Sequence, residues 1–228
     1  MLDPKRKEAE APERPVSRVQ EQGARSRERI LDAAEALMAD RGYAGTSISA
    51  ICRESGLPAS SVYWHFENKE GLLRAVMERG SARMIDEIGA AYDAPGSPRQ
   101  RLHRMLRRAA TAFERQPREF QRLEMMITLE RDRDDPGRET VDRLRARLKS
   151  LMEEALYEIF RSRDERVARR VAQEGAELAH LFGDGATLEA IRNPDGFDPL
   201  AMVDHLEIML LALGERRLEQ RRKKRRRR

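Results

Sequence analysis

Three aromatic side chains stand in a row at Tyr63, Trp64 and His65, just behind the small residues Ala59, Ser60 and Ser61. Consecutive helical positions point about 100° apart. One buried face therefore cannot take all three rings, and some must meet solvent or a partner. The Tyr63 hydroxyl, the Trp64 indole N–H and the His65 imidazole can each donate a hydrogen bond to a phosphate oxygen. The small residues ahead of them let a backbone approach another molecule closely. Serine hydroxyls both donate and accept, which suits permissive contact with base edges. Lys69 follows in the first turn of the next expected helix, where the helix dipole disfavours a cation. An anion bound at that helix start compensates. The chemistry on offer is recognition of a polyanion.

The flanking pattern supplies the elements that hold these groups. Ile30, Leu31, Ala34, Leu37 and Met38 form one apolar face at helical period, so a first helix is expected from near Ser26. Gly42 ends it as a C-terminal glycine. Thr46 and Ser47 offer an N-cap to a short helix carrying Ile48, Ile51 and Cys52, which Gly56 breaks. A second short helix is expected from Pro58 to Phe66, with Val62 and Phe66 inward. Asn68 can cap a fourth helix with Leu72, Leu73, Val76 and Ile88 on its apolar stripe. Two short helices about a sharp turn at Gly56 are a helix-turn-helix pattern, whose second helix lies in the major groove of DNA.

The second half of the chain repeats one punctuation device. Ser97-Pro98, Asp135-Pro136 and Asp198-Pro199 each set a capping side chain before a proline at the first helical position. Apolar series at helical spacing follow, among them Leu102 to Phe113, Phe120 to Ile127 and Val141 to Ile159. Two more, Val167 to Phe182 and Val203 to Leu213, come late in the chain. The expectation is an all-α fold of about nine helices, without strands. Abundant Ala, Leu, Glu and Arg, and only 5% aromatic residues among 228, point the same way.

Net charge alone does not establish the partner. Residues 215–228 hold ten Lys or Arg against two acids, an excess larger than the whole chain's formal +5. The remainder is therefore net negative, and the argument for DNA rests on the motif. The lone Cys52 excludes an internal disulfide framework and reads as a small buried hydrophobe. No apolar run approaches the roughly 20 residues of a membrane span, and MLDPKRKEAEAPERP lacks the apolar core of a secretory signal. A cytoplasmic, non-membrane protein is expected. His103, His180 and His205 lack the spacing of a helical metal pair, and no Ser/His/Asp signature is present. No metal, no cofactor and no enzymatic activity are expected. The methionines, including Met84, Met105 and Met152, sit on apolar faces, where they would also suit an adaptable apolar pocket.

Residues 24–84 closely resemble the TetR family of bacterial regulators. The resemblance rests on Gly42-Tyr43, Thr46, the Gly56 turn, the Tyr63–Phe66 block YWHF, and Asn68-Lys69-Glu70 with Leu72-Leu73. It implies an N-terminal three-helix helix-turn-helix DNA-binding domain and a C-terminal helical ligand-binding and dimerisation domain. It also implies DNA contacts from Ser47, Ala59, Ser60, Ser61, Tyr63, Trp64, His65 and Lys69. Pro58, where the family often caps with Ser or Thr, and Ser49, where some members carry an arginine, depart from its pattern. The organisation expected is a disordered arm over 1–23, the DNA-binding domain over 24–84, the ligand and dimer domain over 85–218 and a basic tail over 219–228. The partners expected are double-stranded DNA carrying an inverted-repeat operator, a small-molecule effector and a second copy of the chain. The homodimer would pair helices near 164–182 and 198–218 and act as a repressor that its ligand releases. A ligand-independent, nucleoid-type DNA binder is the alternative.

Overall fold

The computed structural model describes residues 18–114, 118–132 and 135–226, so residues 1–17 of the expected arm and 227–228 of the tail lie outside the described residues. The side chain of Phe113 lies outside them too. Among the described residues there are nine helices and no strand: α1 (Arg18–Gly45), α2 (Ile48–Ser55), α3 (Ala59–Phe66), α4 (Lys69–Asp93), α5 (Pro98–Glu114), α6 (Arg118–Glu130), α7 (Pro136–Phe160), α8 (Glu165–Arg192) and α9 (Pro199–Arg226).

The punctuation read from the sequence is realised atom by atom. Ser97 and Gln100 cap α5 reciprocally, side chain to backbone in both directions. Asp135 accepts from the N–H groups of Gly137 and Arg138, and Asp198 from those of Leu200 and Ala201. Asp164, which the sequence reading had not singled out as a cap, does the same for α8 through Arg166 and Val167.

Several helix ends fall elsewhere than expected: α1 carries on past a break at Gly42 to Gly45, and α8 runs to Arg192, past the expected 182. The first helix begins at Arg18, not near Ser26, so residues 18–23 of the expected arm are helical. The physical reason is local: the Ser26 hydroxyl donates back to the Gln22 carbonyl at 2.9 Å instead of capping a helix start. At the other terminus α9 runs on to Arg226 through most of the basic tail. Lys and Arg are good helix formers and favourable at a helix C-terminus. Arg221 and Arg225 also pair with Asp164 at 3.6 and 3.7 Å.

The apolar cores do not respect a boundary at residue 84, which falls inside the continuous helix α4. The first core gathers Ile30, Met38, Ile51, Val62 and Leu73 from α1–α4, together with Phe120 and Leu123 of α6 and Val141 of α7. The second joins α4, α5, α7, α8 and α9 around Tyr92, Leu102, Leu156 and Leu206. Each fully buried Leu, Ile or Phe contributes roughly 1.5–3 kcal/mol. The three-helix head is therefore built onto α6 and α7 and is not hung from a linker. An ion-pair cluster reinforces the joint of α1 and α4: Arg79 reaches Glu35 at 2.6 Å, Asp32 at 2.7 Å and Glu28 at 2.9 Å.

Candidate DNA interface and ligand cavity

The turn between α2 and α3 depends on Gly56, which sits at φ 65°, ψ 27° and donates its N–H to the Cys52 carbonyl. That left-handed conformation favours glycine over residues with a Cβ. Ser47 caps α2 by accepting from the Ala50 N–H at 3.2 Å, and its hydroxyl lies 2.9 Å from that of Ser49. Thr46 is buried instead, with its hydroxyl placed between the carbonyls of Leu37 and Gly42. The half-buried, free Cys52 packs against the first core.

The helix α3 is pinned from below by Val62 and Phe66, 0% and 5% exposed. Its outer face carries the groups singled out from the sequence. Ala59 and Ser60 are exposed, Ser61 and His65 half-buried. Tyr63 is exposed and Trp64 stands 76% exposed. A large apolar ring left so open on a helix anchored by Val62 and Phe66 suits a contact surface. The Trp64 and His65 rings meet edge-on at 4.5 Å. Burial, and then the Arg27 guanidinium, holds the His65 imidazole below its ordinary pKa. No side chain caps the start of α3, where Pro58 stands as N-cap.

The link from α3 to α4 is tight. Glu67 adopts φ 62°, ψ −50°, and the Asn68 N–H donates to the Phe66 carbonyl at 2.6 Å, a strained three-residue turn. Asn68 then caps α4 through the Gly71 N–H at 2.8 Å. Lys69, half-buried, is held over the Tyr43 ring at 4.1 Å. The Arg131 guanidinium lies 4.2 Å from the same ring. Burial first, then Arg131, lowers the Lys69 pKa, with Glu70 opposing.

The structure thus brings Ala59, Ser60, Ser61, Tyr63, Trp64 and His65 together on one helix. Ser47 stands at the start of the neighbouring α2, and Lys69 at the start of α4. Arg131 of the α6–α7 loop, absent from the residues singled out above, adds a polar tie between this head and the rest of the chain. Nothing in its local sequence distinguishes it from the other arginines.

A cavity of about 200 Å³ lies among α4–α9. Met84, Met105 and Met152 line it, as does Met202. Met126 instead approaches Gly42 of the three-helix head. At its polar end stand Gln121, Glu124, Arg145 and Asp184, none of which was singled out from the sequence. Glu124 and Arg145 have side chains 16% and 17% exposed and pair at 3.0 Å. Burial raises the Glu124 pKa against the opposing pull of Arg145. The histidines do not converge: His103 pairs with Glu207 at 2.7 Å, His180 lies 3.9 Å from Asp184, and His205 is exposed. Among the described residues no group of three or more His, Cys, Asp or Glu could hold a metal ion, and no helix is long and apolar enough to cross a membrane.

Comparison with known proteins agrees with this geometry. The family profile described as bacterial regulatory proteins, tetR family, matches residues 30–76. The HTH-type transcriptional regulator AcrR of Shigella flexneri is 32% identical over 83 residues, 36% of this chain and 38% of its own length. The match thus spans well under half of that curated relative. A TetR-family transcriptional regulator from Streptomyces coelicolor superposes with a TM-score of 0.66 at 16% identity, covering 84% of this chain and 95% of its own. AibR, solved in complex with isovaleryl coenzyme A and operator DNA, superposes with a TM-score of 0.62 at 23% identity, covering 81% of this chain and 97% of its own. At these identities the two structures show a common fold. The helix-turn-helix head thus matches the tetR family in sequence over residues 30–76, and the nine described helices share the fold of solved TetR-family regulators.

Proposed function

We propose that the protein is a homodimeric transcriptional repressor that reads an inverted-repeat operator with α3 and lets go of it when a small molecule fills the α4–α9 cavity. The observation that carries this reading is the outer face of α3: small residues and open rings on a helix whose opposite side is fully buried. Ser47, Ala59, Ser60 and Ser61 would approach base edges and backbone. Tyr63, Trp64, His65 and Lys69 would engage phosphates. Residues 24–84 form the DNA-reading unit, 85–218 the effector and dimer unit, and 219–228 a tail adding salt-dependent phosphate contacts. The operator-bound complex of the structural relative AibR supports the assignment of partner and effector.

The second copy is argued from α8 and α9. Leu178, Leu181 and Leu188 of α8, and Ile208 and Met209 of α9, are exposed. Large apolar side chains clustered on two adjacent helices favour association. A two-fold dimer through this face would set the two α3 helices about 34–36 Å apart, or a multiple of it. A ligand then releases DNA only to the extent that it prefers the conformation with misplaced recognition helices.

The test is selection of bound sequences from a random DNA pool by the purified full chain at near-physiological salt. Enrichment of an inverted repeat is expected. Salt-sensitive binding without any enriched sequence overturns the operator reading in favour of a nucleoid-type protein.

A further inference from the structure

The polar end of the cavity sets two carboxylates, Glu124 and Asp184, against the guanidinium of Arg145. All three guanidinium nitrogens of Arg145 are engaged by carboxylates. Its Nε donates to Glu124 at 3.0 Å, Nη2 to Asp184 at 3.2 Å and Nη1 to the same carboxylate at 3.5 Å. Two carboxylates therefore share one guanidinium. Lys149 turns its ammonium to Glu177 at 3.5 Å. Gln121 is 6% exposed, lines the cavity, and has a buried Oε1 without any hydrogen-bond partner among the described residues. A buried acceptor left unmade is unfavourable, so this atom favours a ligand that donates. The remaining wall is apolar and adaptable, with Met84, Met105, Met152 and Leu206 facing the same space. A cavity of about 150 Å³ takes up benzene. The 200 Å³ here thus accommodates one ring and a short substituent.

Resting on the reading of this cavity as the effector site, we propose that its ligand is a small apolar amine. The protonated nitrogen donates to Gln121 Oε1 and lies against Glu124, while the hydrocarbon body packs among the methionines. An ammonium brings three N–H donors and the positive charge that two carboxylates on one guanidinium leave uncompensated. A ligand carboxylate would set acceptor against acceptor beside an Arg145 whose three nitrogens each already serve a carboxylate. A neutral alcohol supplies one donor and no charge. Burial, which raises the Glu124 pKa, keeps that carboxyl short of solvation and so receptive to a cation.

The experiment titrates the full-length protein with benzylamine, benzyl alcohol and benzoate by calorimetry. The three share one ring and one substituent carbon and differ in charge. Benzylamine is expected to bind at least about tenfold more tightly than benzyl alcohol, with benzoate weakest. Gln121→Leu and Glu124→Gln should each weaken benzylamine about tenfold and leave benzyl alcohol within about threefold, in variants whose helical circular dichroism matches the parent. Benzoate binding best, or equal binding of all three, overturns the amine and keeps the effector site. Benzylamine binding unaffected by both substitutions overturns the placement of the ammonium. No binding of any of the three overturns the effector reading of the cavity together with the amine.

Discussion

Arg131 and Glu70 meet at 2.9 Å across 61 positions of sequence, joining the loop after α6 to the first turn of α4. The same guanidinium also pairs with Asp135 and lies over Tyr43, so it ties α7's cap and the end of α1 into one joint. The helix α6 carries Gln121 and Glu124 at the cavity, and Arg131 follows it directly. A ligand that moves α6 would therefore move the seat of Tyr43 and Lys69.

Arg131→Ala should destabilise the chain by about 1–2 kcal/mol, a charge-assisted hydrogen bond reduced by the partial exposure of Glu70. It should also weaken the effect of an effector on DNA affinity, while Arg131→Lys retains part of both. Urea denaturation reads the first quantity, and operator titration with and without ligand the second. An unchanged coupling in Arg131→Ala would remove this joint from the relay.

Trp64 and Phe66 lie two positions apart and should separate recognition from folding. Trp64→Ala, at an exposed ring, should leave stability within about 0.5 kcal/mol and lower DNA affinity at least about tenfold. Phe66→Ala, at a buried one, should destabilise by about 3–5 kcal/mol. Thermal unfolding and operator binding on both variants settle the division, and comparable stability losses in the two would refute it.

Because the His65 pKa is lowered, chiefly by burial and then by Arg27, free protein holds this imidazole neutral at pH 7. A folded-state pKa below the unfolded value means the unfolded chain binds more protons as pH falls through the ordinary histidine range. His65 therefore withdraws a small stability contribution as pH drops below about 6.5. DNA bound as proposed would have the opposite effect, since a phosphate beside His65 would favour the imidazolium. Operator affinity at fixed salt should rise as pH falls from about 7.5 to 5.5. In His65→Gln the rise should flatten. An equal pH dependence in both proteins would assign the titration to another group.

Leu181→Glu and Ile208→Glu place charges on the open apolar face of α8 and α9. Both positions are exposed within one chain, so each variant should fold. Each should also elute as a monomer in size-exclusion chromatography where the parent elutes as a dimer, and lose operator affinity in step. A parent that already elutes as a monomer at micromolar concentration would sink the two-fold arrangement.

The all-helical class, the helix-turn-helix and the open rings of Tyr63 and Trp64 were legible because they follow from local rules. Gly56 breaks a helix, Asn68 and the aspartates before proline start one, and three successive rings cannot share a buried face. The family resemblance adds the expected DNA-contact set, whose residues the folded chain distributes over the starts of α2 and α4 and the outer face of α3. Periodicity names an apolar face without naming what covers it. Leu178 and Leu181 sit in the same series as Val167 and Val171, yet the first two are exposed and the last two buried. Phe120 and Leu123 belong by sequence to the second half and by packing to the core of the helix-turn-helix head. Gln121, Glu124, Arg145 and Asp184 come from three helices, and no spacing along the chain brings them together. Their pairing, the acceptor it leaves free and the reach of Arg131 to Glu70 come from long-range packing, which tertiary structure alone decides.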